Sequence, residues 1–547
     1  MIDRKLHTKR RRGLLVLAGA ILLTAPLPAQ QSADAAGSDS AGTSVPERLT
    51  LPGVIPRVLD YDSGYRQSLL DEASARAGRA LARARVLPQI SLSPGQAGAS
   101  YAWSRGEETR TVPDASQPGN PTATTTESVL TNTHSASAQL SLNQALPTDG
   151  SLSLVAGNTL RARVVEEEEA QYRQSLSFSA TWQQPLFTNR RVIDLRVFGA
   201  GIELSGGIPL RIARSNAALQ KNARIVGVLE TYLQVVELRK QVDLLSANIA
   251  STAERVEQVR IRRRQGTATQ RDVWDVEITL EELRESRLQA QYALRQAESS
   301  LAASLGLPEG VSSRSLADEV PELSLPAEEE IVALAGTESD QVAQARESLN
   351  QARLQRIVNG RQYAATLQTS VNVAPAYDPG WTENSFGSED LGESYAELFT
   401  EEASWDTTVS VSLNVPLYNG GQRRHQASRD QAAIDGARIS LEDTRRSVVE
   451  NIRSLYLRRR LLRDQLTLRE NSLRLEEDRL DEKERLAELD SLTELELQEA
   501  RNQVRSRENA LWRTRADLFL NGLRILQAAG RDLEDLVTTA QSGAEQE

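Results

Sequence analysis

The placement of proline constrains the fold of this 547-residue chain more than any other feature. No proline occurs between Pro209 and Pro308, and none follows Pro416, a run of 131 residues. Because proline costs about 3 kcal/mol inside a helix, gaps of this length are typical of long uninterrupted helices. Within both gaps apolar residues recur every three or four positions, which predicts coiled-coil packing. The pattern breaks at Gly266 and near Asp490, so two long helical hairpins are predicted.

A different periodicity separates the helical runs. Apolar residues there alternate with Ser, Thr, Asn and Gln, which indicates strands of about ten residues with one apolar and one polar face. The alternating segments are 99–103, 138–142, 152–156, 176–182, 367–373 and 408–415. The pattern alone fits a soluble sandwich and a membrane barrel about equally well. Segments 87–198 and 363–425 hold 15 of the 23 aromatic residues, as expected for the aromatic girdles of a barrel.

The N-terminal region has the features of an export signal. Basic residues in 4–12 precede an apolar run of about eleven residues and a small residue at Ala29. This run is too short to span a bilayer, so residues 1–29 are predicted to be a signal peptide, with a membrane anchor as the alternative. Residues 30–56 are rich in Ser, Ala, Gly and Pro, and a flexible linker is expected there.

Composition argues against most catalytic and nucleic-acid functions. The chain has no cysteine, which excludes thiolate chemistry. It has only three histidines, which disfavours catalysis or metal binding by histidine. A net charge of −11 argues against nucleic-acid binding, which needs a basic surface. We find no catalytic set and no nucleotide-binding motif, and we expect no enzymatic activity, no cofactor and no metal site.

The chain also contains an internal duplication. Residues 177–187 match residues 408–418 at a shift of 231 positions. At a shift of 224, two features recur together: Gly266-x-x-Thr269-x-x-Asp272 matches Asp490-x-x-Thr493-x-x-Glu496, and Gly306 matches Gly530. We therefore predict two structural repeats, 57–310 and 311–530, each with a helix, strands and a long helical hairpin. A polar C-terminal tail is predicted for 531–547.

The export signal, the duplication and the strand-to-helix junctions Gln184-Pro185-Leu186-Phe187 and Val415-Pro416-Leu417-Tyr418 together resemble the TolC family of bacterial outer-membrane efflux proteins. The resemblance implies a mixed α and β fold, with a trimeric outer-membrane β-barrel continued by a long periplasmic α-helical coiled-coil barrel. It implies a passive exit duct of a tripartite efflux pump or type I secretion system. The implied partners are two further copies, a periplasmic adaptor (membrane fusion) protein, an inner-membrane transporter and outer-membrane lipid. A soluble periplasmic coiled-coil scaffold or adaptor protein is the alternative.

The number of strands in each chain has two solutions. A few strands cannot close a barrel, and an open edge cannot face lipid, so several chains must share one. The resemblance implies four strands per chain, or twelve in a trimer. An extra hairpin formed by 136–144 and 151–160 makes six strands per chain the alternative. We expect four.

The resemblance also assigns residues to the helical tips. Glu496 and Glu499 share one helix face, and it implies that they face the lumen and ring the periplasmic entrance, with Asp272 and Asp275 as the first-repeat pair. A solvated helix face is the alternative. The candidates for adaptor contact lie beside the two turns: Arg264, Gly266, Thr269, Asp490 and Thr493.

Overall fold

The computed structural model describes residues 49–95, 98–110, 123–165, 169–188, 191–192, 195–307, 312–378, 380–381, 403–488 and 493–534. The helices among these residues are α1 Leu51–Tyr61, α2 Ser63–Ala84, α3 Leu195–Ile202, α4 Ile208–Arg264, α5 Gln270–Leu305, α6 Glu328–Glu338, α7 Asp340–Arg361, α8 Gln422–Glu488 and α9 Glu494–Ala528. The strands are β1 Gln89–Pro94, β2 Gly98–Arg110, β3 Ala123–Ala145, β4 Ser151–Val165, β5 Gln171–Thr188, β6 Arg191–Val192, β7 Thr366–Tyr377 and β8 Ser404–Asn414. The predicted signal peptide lies outside these ranges.

Two long helical hairpins fill the proline-free runs, as the sequence predicted. The helices α4 and α5 contain 57 and 36 residues, and α8 and α9 contain 67 and 35. Pro209 lies in the first turn of α4. A π-helical turn, Glu203–Gly207, joins α3 to α4. No helix among the described residues is long and apolar enough to cross a membrane.

The long helices form an array in the order α5, α4, α9, α8. Since α4 and α8 lead away from the sheet and α5 and α9 lead back, neighbouring helices are antiparallel. Nearer the sheet, α2 packs against α4, and α7 packs against α8. The main core lies where the hairpins meet, and its largest fully buried side chains are those of Leu49, Ile55, Ile225, Leu229, Tyr232, Leu301, Ile331, Ile452 and Leu523.

Two tyrosines form hydrogen bonds with the connector, the segment between the end of α5 and the start of α6 that joins the two halves of the chain. The Tyr232 hydroxyl, which has one proton to donate, lies within hydrogen-bond distance of the backbone oxygens of Leu49, at 2.8 Å, and Ala317, at 3.0 Å. The Tyr456 hydroxyl donates to the backbone oxygen of Pro326 at 2.9 Å. These tyrosines are 224 positions apart, the same spacing as the tip motifs, although the sequence analysis did not use them. Burial raises the pKa of Tyr232 to about 12, so its hydroxyl keeps its proton at neutral pH.

The structure corrects two predicted boundaries. The end of the expected linker is ordered, because α1 begins at Leu51 and buries Val54 and Ile55 in the core. The expected tail is likewise packed at its beginning: Leu533 is buried, and its N–H donates to Asn222 at 3.2 Å. Both segments are polar in overall composition, but each contains apolar side chains that pack into the core.

The strands form a single sheet in the order β1, β3, β4, β5, β7, β8, with β2 also on β3 and β6 on β5. All neighbouring strands are antiparallel. The expectation of four strands per chain is therefore wrong, because β3 and β4 form an additional hairpin. This hairpin has the same apolar and polar alternation as its neighbours, so nothing in its pattern excludes it from the sheet.

Candidate functional site

The first helical tip is a tight turn centred on a glycine. The N–H of Thr267 donates to the backbone oxygen of Arg262 at 2.9 Å, and that of Gly266 donates to the backbone oxygen of Arg263 at 2.9 Å. Gly266 has φ +77°, a left-handed conformation that residues with a Cβ rarely adopt. This Schellman motif ends α4 and reverses the chain.

Both returning helices begin with the same capping box. The carboxylate of Asp272 accepts hydrogen bonds from the Thr269 N–H, at 2.6 Å, and hydroxyl, at 2.8 Å. Glu496 accepts the equivalent bonds from Thr493 at 3.0 Å and 2.8 Å. The Thr493 bonds to backbone and hydroxyl lower the pKa of Glu496, and the Thr269 bonds lower that of Asp272. Both carboxylates are therefore charged and oriented at the start of a helix, where its dipole favours a negative charge.

The structure gives the other acidic candidates different surroundings. Glu499 lies on α9 and forms an ion pair with Arg255 of α4 at 3.5 Å. Asp275 lies on α5 and is exposed. Arg264 forms an ion pair with Glu257 at 3.5 Å, within its own helix. Asp490 lies outside the described residues. The capping role of Asp272 and Glu496 was not predicted, although Thr-x-x-Asp and Thr-x-x-Glu are the sequence signature of a capping box.

The outer helices of the array expose rows of apolar side chains. On α5 these are Trp274, Ile278, Leu288 and Tyr292, and on α8 they are Leu457, Leu461, Leu468 and Leu475. Each row occupies the a and d positions of a single heptad frame, the spacing by which one helix packs along another. Rows of this kind along one face mark an interaction surface.

The sheet has two contrasting faces. One backbone register joins Ile90, Leu142, Leu154, Ala180 and Val373 across five strands, so that face is apolar. The opposite face carries short polar side chains that bond across the joints: Ser91 with Ser141 at 2.7 Å, Ser153 with Asn143 at 2.8 Å, Thr181 with Asn372 at 2.8 Å, and Ser370 with Ser410 at 2.6 Å.

Arginines extend the polar face at the end of the sheet away from the helices. Arg161 and Arg173 are cross-strand partners, and Arg173 binds Asp378 through both carboxylate oxygens, with Nε to Oδ1 at 2.8 Å. The Arg163 guanidinium lies 4.8 Å from the centre of the Trp381 ring. Charged groups of this kind suit a surface in contact with water. Among the described residues, no cluster of His, Asp and Glu side chains could hold a metal ion.

Comparisons with known proteins agree with this architecture. Residues 383–531 match the family model described as outer membrane efflux protein. The outer membrane protein VceC from Vibrio cholerae is 15% identical, with a TM-score of 0.53 over 88% of this chain and 96% of that one. The CmeC outer membrane channel of Campylobacter jejuni is 12% identical, with a TM-score of 0.53 over 90% and 88%. The MtrE outer membrane channel of Neisseria gonorrhoeae, in its open state, is 15% identical, with a TM-score of 0.51 over 88% and 89%.

No curated protein matches the chain. At these identities the structural likeness establishes the fold, which is the mixed helical and sheet fold of outer-membrane efflux channels. The resemblance to the TolC family of outer-membrane efflux proteins is confirmed by this fold and by the family match.

Proposed function

We propose that this protein is the outer-membrane channel of a tripartite efflux pump or type I secretion system. The observation that carries the proposal is the two-faced sheet, with its apolar and hydrogen-bonded polar faces, joined to an antiparallel array of long helices. In a bilayer the apolar face contacts lipid, while the polar face with its arginines lines water. The channel is passive, since a duct needs no reacting groups.

The same features require several copies of the chain. The sheet of the described residues ends in two edges, β1 and β8, whose side chains are exposed. An unpaired edge is not stable in lipid, so each edge must meet a second copy. The exposed rows on α5 and α8 form matching free edges of the helical array. A trimer, as in the family resemblance, is the assembly we propose.

Cell fractionation and gel electrophoresis test this assembly. We expect the protein in the outer-membrane fraction as an oligomer of three chains that resists dissociation in detergent at room temperature and separates on heating. The purified oligomer should conduct ions in a planar bilayer. A soluble monomer in the periplasmic fraction would instead support the alternative of a coiled-coil scaffold.

The adaptor is proposed to bind the helical tips. The candidates are Arg264, Gly266, Thr269, Asp490 and Thr493; Arg264 and Thr269 flank the turn at Gly266 and are exposed, and Thr493 is exposed at the start of α9. A photo-cross-linker at position 264 should capture a periplasmic adaptor in cells, while one at exposed Leu457, midway along α8, should capture a second copy of the chain. An adaptor captured only at position 457 would contradict the assignment.

We further propose that Glu496 and Glu499, with Asp272 and Asp275, form a negative ring at the periplasmic entrance. Three copies place several carboxylates around one axis, which favours cations. The variant E496Q/E499Q should lower the cation preference measured as a reversal potential across a salt gradient. Glutamine retains the capping hydrogen bond, so the fold of the tip is preserved. The matched variant D272N/D275N measures how much the first tip contributes to the cation preference. Unchanged reversal potentials in both variants would contradict the proposed ring.

A further inference from the structure

The turn of the β3–β4 hairpin lies where the sheet meets the helices. The turn and the adjoining end of β3 form hydrogen bonds with three separate elements there. Arg361, at the end of α7, donates to Asp149 at 2.7 Å, and Thr148 donates to Gln184 of β5 at 2.6 Å. Gln144 donates to the backbone oxygen of Val86, where α2 leads into β1. The turn therefore lies at the helical end of the sheet, where β1 begins and β5 ends.

The backbone conformation and the close packing of this turn restrict which residues can occupy it. Asp149 has φ +65°, an uncommon conformation for a residue other than glycine. A Cβ on Gly150 would lie 2.5 Å from Oε1 of Gln184 and 2.6 Å from the backbone oxygen of Gln183. A turn this closely packed indicates a fixed part of the sheet, not a loop laid over it.

The hairpin continues both faces of the sheet without a break. Leu142 and Leu154 carry the apolar face from β1 to β5, and Asn143 and Ser153 carry the polar face. The pair also keeps strand directions alternating, because a hairpin adds one strand in each direction. The eight strands occupy six positions across the sheet, in the order β1, β3, β4, β5, β7, β8, because β2 follows β1 along the same side of β3 and the two-residue β6 pairs only with the end of β5. An even number lets β8 of one copy pair antiparallel with β1 of the next.

The backbone register supplies the stagger that closure requires. Following paired residues from Gln89 of β1 leads through Asn143, Ser153, Thr181 and Asn372 to Thr408 of β8. Strand β8 continues six residues further, to Asn414, before its chain enters α8. Over six strands spaced about 4.8 Å apart, a stagger of six residues of about 3.3 Å each gives a tilt of about 35°. Closed barrels have tilts of about 35–45°.

The two edges also match in chemistry at this stagger. If Asn414 is level with Gln89 of the next copy, Leu413 faces Ile90 and Val411 faces Leu92. Ser412 then faces Ser91, and Ser410 faces Ser93. A shift of one residue would place serines on the apolar face and leucines in water. The edges are therefore self-complementary between copies in a register that the tilt of closed barrels allows.

We propose that three copies close an 18-stranded barrel through β8 and β1, instead of the twelve strands that the family resemblance implies. This inference rests on the proposed function. Barrel diameter increases roughly linearly with strand number, so the outer pore is about half as wide again as a twelve-stranded one. Barrels of about 16–18 strands enclose an aqueous channel. The outer end of this duct therefore passes bulkier hydrated solutes than a twelve-stranded barrel would.

Cysteine pairs test the arrangement, since the chain has no cysteine of its own. Within each chain, a disulfide in S91C/S141C reports the pairing of β1 with β3, and one in S153C/T181C reports the pairing of β4 with β5. Between chains, a disulfide in S91C/S412C reports the pairing of β8 with β1 of the next copy. We expect all three disulfides in heat-resistant trimers isolated from outer membranes. The control S91C/S179C pairs residues that are three strands apart and should remain reduced.

The possible outcomes separate this inference from the proposed function. If trimers form and S91C/S412C closes, but S91C/S179C also closes and S153C/T181C does not, the hairpin lies outside the barrel. The 18-stranded barrel is then wrong while the channel stands. If no membrane-inserted trimer forms, the proposed function fails. As a second measurement, neutral polymers added from the outer side should enter the native channel at larger sizes than a variant lacking 123–165. Equal size limits in the two would overturn the inference.

Discussion

The helical hairpins of the two halves are closely matched, whereas their strands are not. Tyr232 and Tyr456, Gly306 and Gly530, and Thr269 and Thr493 are all 224 positions apart and hold equivalent places. The sheet is unequal, because the first half contributes β1 to β6 and the second half only β7 and β8.

This difference shows which part of the fold tolerates insertion. The helical hairpins pack against each other along their length, so an added segment would shift every contact beyond it. A β-hairpin adds two strands that keep both faces and the alternation of directions. The sheet can therefore grow by pairs of strands while the helical array keeps its number of helices. Residues at equivalent positions of the two helical hairpins nevertheless have different neighbours. Substitutions at such pairs therefore test how far the two halves differ.

The largest difference is expected at the two glycines that end α5 and α9. Gly306 and Gly530 have φ +65° and +77°, so alanine costs about 1–2 kcal/mol of strain at either. At Gly306 a Cβ would also lie 2.3 Å from the ring of Tyr61, whereas at Gly530 its nearest neighbour is 3.1 Å away. G306A should therefore lower the temperature of heat dissociation more than G530A, with a total effect of about 3 kcal/mol or more.

A double variant identifies the cause of that difference. Tyr61 is exposed at its outer side, so Y61A alone should have a small effect. If the ring causes the clash, G306A/Y61A should be as stable as G530A/Y61A. A persistent gap between these two variants would show that the two glycines differ for another reason.

The connector tyrosines should give the next largest difference. Tyr232 is fully buried with its hydroxyl near the Leu49 and Ala317 oxygens, while Tyr456 has a part-buried bond to Pro326. The Leu49 oxygen also accepts from the Ala317 N–H at 3.1 Å, so Y232F leaves the Ala317 oxygen as the acceptor that loses its donor, and an unsatisfied buried acceptor costs about 1–3 kcal/mol. Y232F should therefore destabilise the protein by about 1–3 kcal/mol and Y456F by about 1 kcal/mol, measured by urea denaturation. Equal effects would indicate that the two halves hold the connector equally.

Much of this fold could be predicted from local patterns. The proline gaps predicted both hairpins, and period-two alternation located the strands, because these signals depend on neighbouring residues alone. The number of strands was predicted wrongly, since a hairpin such as 136–160 can stay in the sheet or fold away, and only its contacts with Arg361 and Gln184 decide this. The order of β1 to β8 depends on long-range pairing and was likewise beyond the sequence.

The candidate site was less accessible to sequence reasoning. Glu496 and Glu499 could be placed on one helix face by their spacing, but their partners could not. The ion pair of Glu499 with Arg255 joins residues 244 positions apart, and no local pattern predicts it. The capping box of Thr493 with Glu496 is local, and its signature was readable in the sequence.

The start of the short helices provides a pH-dependent test. In the first half Asp62 caps α2 by accepting from the Tyr65 N–H at 2.7 Å and forms an ion pair with Arg224. In the second half burial of Asp340 at the start of α7 raises its pKa to about 6. Since its unfolded value is about 3.9, the native state binds the proton more tightly, and stability is lost as pH rises from about 4 to about 6.

Asparagine at position 340 removes this charge. D340N should match the native protein below pH about 4 and exceed it above pH about 6, by on the order of 1–2 kcal/mol. Heat dissociation measured from pH 4 to 7.5 follows the trend. D62N is the matched control, and it should lower the stability of the protein at neutral pH because it loses the ion pair with Arg224. A D340N effect that is constant with pH would contradict the role of the buried carboxyl.

The smallest effects are expected at the two tips, where the halves are most alike. T269A and T493A each remove a capping hydroxyl, at about 1 kcal/mol per helix. Because the loss is confined to the first turn of α5 or α9, hydrogen exchange at the tips should rise while heat dissociation changes little. Serine at either position keeps the hydroxyl and should restore protection. If T493A alone also changes the reversal potential in bilayers, then the cap orients Glu496 toward the pore, and the two tips differ in function despite identical capping geometry.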